Sequence, residues 1–117
     1  MRGINRVVIL GRLGQTPELK KTANQHSYVD LSIATNRPYR QDDIWTEQTE
    51  WHQVRTWEKQ AELCAQLLKK GSPVAIEGYL RTDSWNTPEG ERRSKTYTQA
   101  EQIHFLPKPA AKENTNS

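Results

Sequence analysis

Apolar and polar positions alternate along most of this chain. Residues 4–13 form an apolar, β-branched run centred on Val7-Val8-Ile9-Leu10. It ends at Gly11 and Gly14, which predicts a buried strand followed by a tight turn. In residues 27–36, Val29, Leu31 and Ile33 alternate with Tyr28, Asp30 and Ser32, predicting a second strand with one face in the core. The polar residues 17–26 between them, with a turn-prone Asn24-Gln25, read as the connection of a hairpin. Residues 37–48 hold Pro38, Asp42 and Asp43 and read as a surface loop carrying Tyr39 and Trp45. A third strand is expected over residues 49–57.

Next comes the one helical pattern. Leu63, Cys64, Leu67 and Leu68 share a face at i, i+1, i+4, i+5 spacing. Lys69 and Lys70 suit a helix C-terminus, Gly71 suits the position just past it, and Pro73 blocks continuation. Val74, Ile76, Gly78 and Leu80 then alternate in a fourth strand. Residues 84–94 read as a polar loop around Pro88-Glu89-Gly90, and residues 95–106 as a fifth, weaker strand. From Pro107 the chain runs PKPAAKENTNS, too poor in apolar surface to offset its ordering entropy, so a short disordered tail is expected over 107–117. The reading is all-β with one helix: a single domain over 1–106 with five strands and a helix between the third and fourth. That is the pattern of the OB-fold, a five-stranded Greek-key barrel. The fold by itself leaves function open.

Composition narrows the classes. A length of 117 residues fits one domain. The hydrophobic share of 33% lies below the roughly 45–50% of ordinary domains, so the core is small. The longest aliphatic run is four residues, Val7 to Leu10. A membrane span needs ~20 and an export signal roughly 7–15, so neither is expected. A lone cysteine, Cys64, rules out an intrachain disulfide and fits a reducing cytoplasm. The net charge of +3 and pI near 9.1 lean toward a polyanionic partner. Four Trp and four Tyr stand against one Phe. A buried indole N–H needs a partner, so several of these rings are expected at the surface.

By strand parity, Trp51, Gln53, Arg55 and Trp57 share one face of the third strand, with His52, Val54 and Thr56 on the other. Indole, amide, guanidinium and indole make a poor core and a good nucleic-acid platform, because any base can stack on an indole. The alternative, in which the two indoles cover a core, would bury Gln53 and Arg55 with them. Trp85 near Arg81, and Tyr39 beside Arg40, place further aromatics next to cations in the two long loops. No catalytic residue, cofactor or metal is expected. Cys64 falls on the apolar helix face, and His26, His52 and His104 lack ligand spacing. No GxxxxGK loop is present, and Asp42-Asp43 read as solvated loop charge.

In order along the chain, INRVVILGRLGQTPEL, LSIATN, TEWHQVRTWEK, AQLLKKGSPVAIEG and LRTDSW resemble the bacterial single-stranded DNA-binding protein family over residues 3–106. The resemblance implies an OB-fold protomer that assembles as a homotetramer (a dimer is the other option). It implies sequence-independent binding and protection of single-stranded DNA in replication, recombination and repair, in the cytoplasm with the nucleoid. Carried over residue by residue, the stacking aromatics are Tyr39, where the family more often has Trp, Trp51, Trp57, where it usually has Phe, and Trp85. The implied phosphate contacts are Arg6, Lys20, Arg55, Lys59, Lys70 and Arg81, and the implied oligomer-interface residue is His52. There are departures. Asp83 stands where the family commonly has a basic residue, Ala75 where it often has Tyr, and Trp45 is an additional aromatic. The family's long linker with an acidic, Phe-ending tip has no counterpart in residues 107–117, so no tail for recruiting repair or replication enzymes is expected. The competing reading is a primosome-type OB protein, or another OB interaction or RNA-binding module.

Overall fold

The computed structural model describes residues 1–107. In chain order the elements are β1 (Val7–Leu13), β2 (Lys20–Lys21), β3 (Ser27–Gln41), β4 (Ile44–Trp57), α1 (Glu58–Leu67), β5 (Pro73–Asn86) and β6 (Arg92–Phe105). The sheet order is β1-β5-β6-β4-β3-β2, and a further β1–β3 pairing at Arg12↔Ala34 and Leu13↔Ile33 closes it. The result is a five-stranded OB barrel with the helix between its third and fourth strands. The two-residue β2 lies outside the closure, against Tyr28 and Ser27. Strands β4 and β6 pair in parallel, Val54↔Thr98 and Arg55↔Gln99, which brings the third barrel strand beside the last.

The alternating positions fill the barrel as the sequence demands. Val29, Leu31 and Ile33 of β3, Val54 of β4, Ile9 and Leu13 of β1, and Val74 and Ile76 of β5 form one buried cluster, with Ala61, Cys64 and Leu68 from the helix side. Strand β6 reaches this cluster with both Ala100 and Ile103, three positions apart, which a regular period of two forbids. A register shift opposite Glu77/Gly78 leaves Glu101 as an extra residue. Gln60 of the helix donates to the Glu101 carbonyl at 3.0 Å. Beyond the shift, Tyr97 and Gln99 stand on the outward face beside Arg55.

Several boundaries differ from expectation. The first strand starts at Val7, and Ile4 is exposed. Residues 37–48 are not a loop: β3 and β4 pair continuously from Tyr28↔Trp57 out to Gln41↔Ile44. Their two-residue turn, Asp42-Asp43, has φ of 51° and 63°, the left-handed pair that matches hairpin twist and that Asp tolerates. Residues 84–94 likewise extend a β5–β6 hairpin, Trp85↔Arg93 and Asn86↔Arg92, closed by Thr87–Glu91 hydrogen bonds and Gly90 at φ 89°. Two arms therefore project from the barrel where the sequence read loops.

The helix is shorter and narrower than its pattern. It ends at Leu67, so Leu68 buries from just beyond it, and Lys69 and Lys70 lie outside its last turn. Leu67 is 59% exposed, so only Ala61 and Cys64 of the helix enter the core. Gly71, at φ 88°, serves a later turn in which its N–H meets the Leu13 carbonyl at 2.8 Å. At the helix start no side chain caps the backbone, and Glu58 takes a left-handed φ of 55°. Its carboxylate accepts from Ser27 N at 3.2 Å and pairs with His26 Nδ1 at 2.7 Å, tying the helix start to β3. The disordered tail expected over 107–117 lies outside the described residues apart from Pro107.

Candidate nucleic-acid interface

The β3–β4 register sets out the platform. Tyr28, Asp30, Ser32 and Ala34 face Trp57, Arg55, Gln53 and Trp51 in that order, on the outward side of the barrel. Trp51 is 56% exposed, and the buried face beneath holds Val54 and Thr56. The parity argument therefore holds for the third barrel strand: Trp51 and Gln53 are exposed, and Arg55 and Trp57 are half-buried on the same outward face. Trp51 lies against Gly14. A Cβ there would collide with Cζ3 and Cη2 of the indole, so glycine leaves room for that edge of the ring at the end of β1. Beside it, Gly14, Gln15, Ser32, Trp51 and Gln53 line an open recess of about 300 Å³. A smaller cleft of about 180 Å³ shares Gln15 and is lined further by Thr16, Glu18, Lys20 and Asp30. An indole wall among amides and hydroxyls suits a nucleobase, while the two carboxylates of the smaller cleft offset its one ammonium.

Trp57 sits in a tied cluster. Its indole N–H donates to Gln99 Oε1 at 3.0 Å, and its ring centroid is 5.4 Å from that of Tyr28 at a 41° tilt. Arg55 donates from Nε and Nη2 to the two oxygens of Asp30, at 2.7 and 3.0 Å. Its guanidinium carbon lies 4.6 Å from the Tyr28 centroid, 5.2 Å from Tyr97 and 5.8 Å from Trp57. The bond to Asp30 holds Arg55 above its ordinary pKa despite its partial burial. Tyr97 donates its hydroxyl to Asp83 at 3.0 Å, and burial, helped by that bond, raises its pKa. Asp83, where the resemblance led to expect a cation, thus anchors a tyrosine. Sequence reasoning missed Tyr28, Tyr97 and Gln99. Their signal was the outward parity of the second strand and the alternation before Ala100.

The other expected site residues divide into two groups. Lys20, Lys59 and Lys70 have no carboxylate within 4.0 Å among the described residues. Arg6 pairs with Glu77 at 2.7 Å, and Arg81 with Asp83 at 3.8 Å. His104 also reaches Glu77, at 2.9 Å, and holds that carboxyl below its usual range. On the arms, Trp85 shares the outward ladder face with Arg81, and Arg93 and Lys95 stand opposite on β6. Tyr39 pairs with Thr46 and falls on the other ladder face from Trp45 and Trp51, so a strand stacking on it has to pass round the arm. His52 accompanies Val54 in parity, beyond the buried part of β4, and meets the Thr35 hydroxyl at 2.8 Å.

Burial pushes the Cys64 thiol up to about 12, which keeps it protonated and inert at neutral pH. Among the described residues no three His, Cys, Asp or Glu side chains gather as metal ligands. No helix among them is long and apolar enough to cross a membrane.

Barrel and platform together define an OB-fold domain with an aromatic face open to flat, stackable ligands. Residues 4–106 match the Single-strand binding protein family. The chain belongs to that family. It is 43% identical over 86 residues to Single-stranded DNA-binding protein 1 of Chlorobaculum tepidum, covering 73% of this chain and 53% of the relative. It therefore spans about half the length of that relative. A solved deletion mutant of the single-stranded DNA binding protein from Thermus aquaticus matches with a TM-score of 0.78 and 29% identity, over 91% of this chain and 52% of that one. A Plasmodium falciparum SSB solved in complex with ssDNA shares the fold at a TM-score of 0.77 and 24% identity, over 92% and 98% of the two chains.

Proposed function

We propose that this protein binds single-stranded DNA without sequence preference and protects it during replication, recombination and repair, in the cytoplasm beside the nucleoid. The observation that carries the reading is the outward row of Trp51, Gln53, Arg55 and Trp57 on a barrel of this family. Trp51 and Trp57 stack bases on the barrel, and Trp85 and Tyr39 extend the path along the arms. Lys20, Lys59 and Lys70 meet phosphates as free ammonium groups. Arg6 and Arg81 do so while sharing charge with Glu77 and Asp83. Binding then has two terms. Phosphate neutralisation gives log K a salt slope of about −0.7 per contact, and stacking adds ~1–3 kcal/mol per base with little salt dependence. Duplex DNA hides its base faces and forfeits the second term.

The working unit in this proposal is a homotetramer, with a dimer as the other option. Strand β1 pairs with β5 along one edge and with β3 only at Arg12 and Leu13. Its other edge is unpaired over most of its length among the described residues, and Val8 and Leu10 are 68% and 64% exposed beside it. Such an edge invites a second copy. His52 takes its interface role in this assembly from the family resemblance.

Intrinsic Trp fluorescence during titration with oligo(dT), a matched duplex and oligo(rU), at low and high salt, tests the reading. Strong quenching by oligo(dT) that partly persists at high salt and is absent with duplex is the expected result. Equal, salt-erasable quenching by single strand and duplex would refute it. Tighter binding of oligo(rU) than oligo(dT) would move the function to RNA.

A further inference from the structure

We infer that Arg55, with Asp30, is a positioning residue that sets the orientation of the Trp57 ring, and that it does not take a DNA phosphate. The inference rests on the stacking reading above and deepens it. The guanidinium spends two donors on both oxygens of one carboxylate, so a phosphate approaching it meets Asp30 as a like charge. Three rings surround the cation within about 6 Å, the range of cation–π attraction. The ion pair therefore works as a cross-tie among β3, β4 and β6: Asp30 and Tyr28 on the first, Arg55 and Trp57 on the second, Tyr97 on the third. With Gln99 holding the indole N–H, the Trp57 ring is located from two sides before any base arrives. A ring already held in place loses less rotamer freedom on binding. Only arginine supplies a planar fork that binds a carboxylate bidentately while stacking on rings, so lysine is not a substitute here.

The two roles predict opposite signs for one variant. Asp30→Asn removes a negative charge from the face. Were Arg55 a phosphate contact, freeing it would tighten oligo(dT) binding and steepen the salt slope. As a positioning pair, its loss weakens binding by roughly fivefold, the low end of one base stack, with the slope unchanged. Arg55→Lys should lose the same amount although the charge is kept. Both losses should vanish in a Trp57→Ala background, because there is no ring left to position. A readout independent of DNA uses a variant in which Trp45, Trp51 and Trp85 are Phe, leaving Trp57 as the sole indole. Adding Asp30→Asn should raise acrylamide access to Trp57 and lower its anisotropy in the free protein, with thermal unfolding recorded to confirm a folded state. Tighter binding by Asp30→Asn, or a slope reduced by about 0.7 in Arg55→Gln, would overturn the inference in favour of phosphate contact. Unchanged Trp57 access and anisotropy would overturn it as well. If the wild-type protein ignores oligo(dT), the stacking function fails, while the fluorescence of the free protein still decides whether Arg55 positions the ring.

Discussion

The barrel face and the two arms carry the same kinds of residue in opposite mechanical states. On the barrel, Trp57 is held by Gln99 and the Asp30–Arg55 pair, and Trp51 rests on Gly14. On the arms, the side-chain bonds join neighbours within one hairpin: Arg40 to Asp43, Thr49 to Asn36, Thr82 to Thr96 and Arg93 to Glu91. None of these bonds fixes Trp45 or Trp85, which are 67% and 48% exposed. The arms also differ in charge. The β3–β4 arm sets Arg37 and Arg40 against Asp42, Asp43, Glu47 and Glu50, whereas the β5–β6 arm has Arg81, Arg92, Arg93 and Lys95 against Asp83, Glu89 and Glu91. The barrel thus offers rings packed against it, the basic arm offers cations near a free ring, and the acidic arm offers rings beside two arginines that are outnumbered by four carboxylates. Ordering a free ring on binding costs roughly 0.5–1.5 kcal/mol that a fixed ring has already lost in folding.

The largest effect should come from removing what lies beneath the rigid region. Leu31, fully buried on β3 among Asp30 and Ser32 of the platform strand, should cost about 2–5 kcal/mol of stability as Leu31→Ala, read by urea unfolding. A loss near that of a surface site would mean the platform does not depend on the core for its rigidity. Next in size, Trp57→Ala should cost ~1–3 kcal/mol of oligo(dT) affinity at high salt, and Trp85→Ala less, because its ring has to be ordered first. Titration calorimetry of both variants decides it, and an equal or larger loss for Trp85 would break the distinction between barrel and arm.

The smallest effect is a pH dependence at the helix start. The bond with His26 holds the Glu58 carboxyl below its usual range, with Ser27 N–H adding to the shift. A carboxylate depressed on folding contributes stability above its unfolded pKa and loses it as pH falls through the folded value. Wild-type protein should therefore lose thermal stability as pH drops through and below about 4, and Glu58→Gln should show a shallower acid limb over the same window. Parallel curves for the two proteins would show that this tie adds nothing to the rigid region.

What the sequence made legible follows from how local each signal is. The alternation of Val29, Leu31 and Ile33 survives into the barrel because a buried strand face is specified residue by residue. The row Trp51 to Trp57 was legible for the same reason. The arms were not, since exposed strands such as residues 37–41 and 44–48 carry no apolar alternation, and their pairing comes from the turn at Asp42-Asp43. The helix was over-read at Leu67, where apolar spacing continued past the surface that the barrel covers.

By itself, then, the sequence determined the barrel class, its buried faces, and the presence of a strand face that combines aromatic and cationic side chains. Only the tertiary structure decided which cation is free and which is spent. Asp30 and Arg55 are 25 residues apart, and Trp57 and Gln99 are 42 apart. Parity says which face a side chain takes, but the partner opposite it depends on register and on the β6 register shift at Glu77/Gly78, and these are set when the barrel closes.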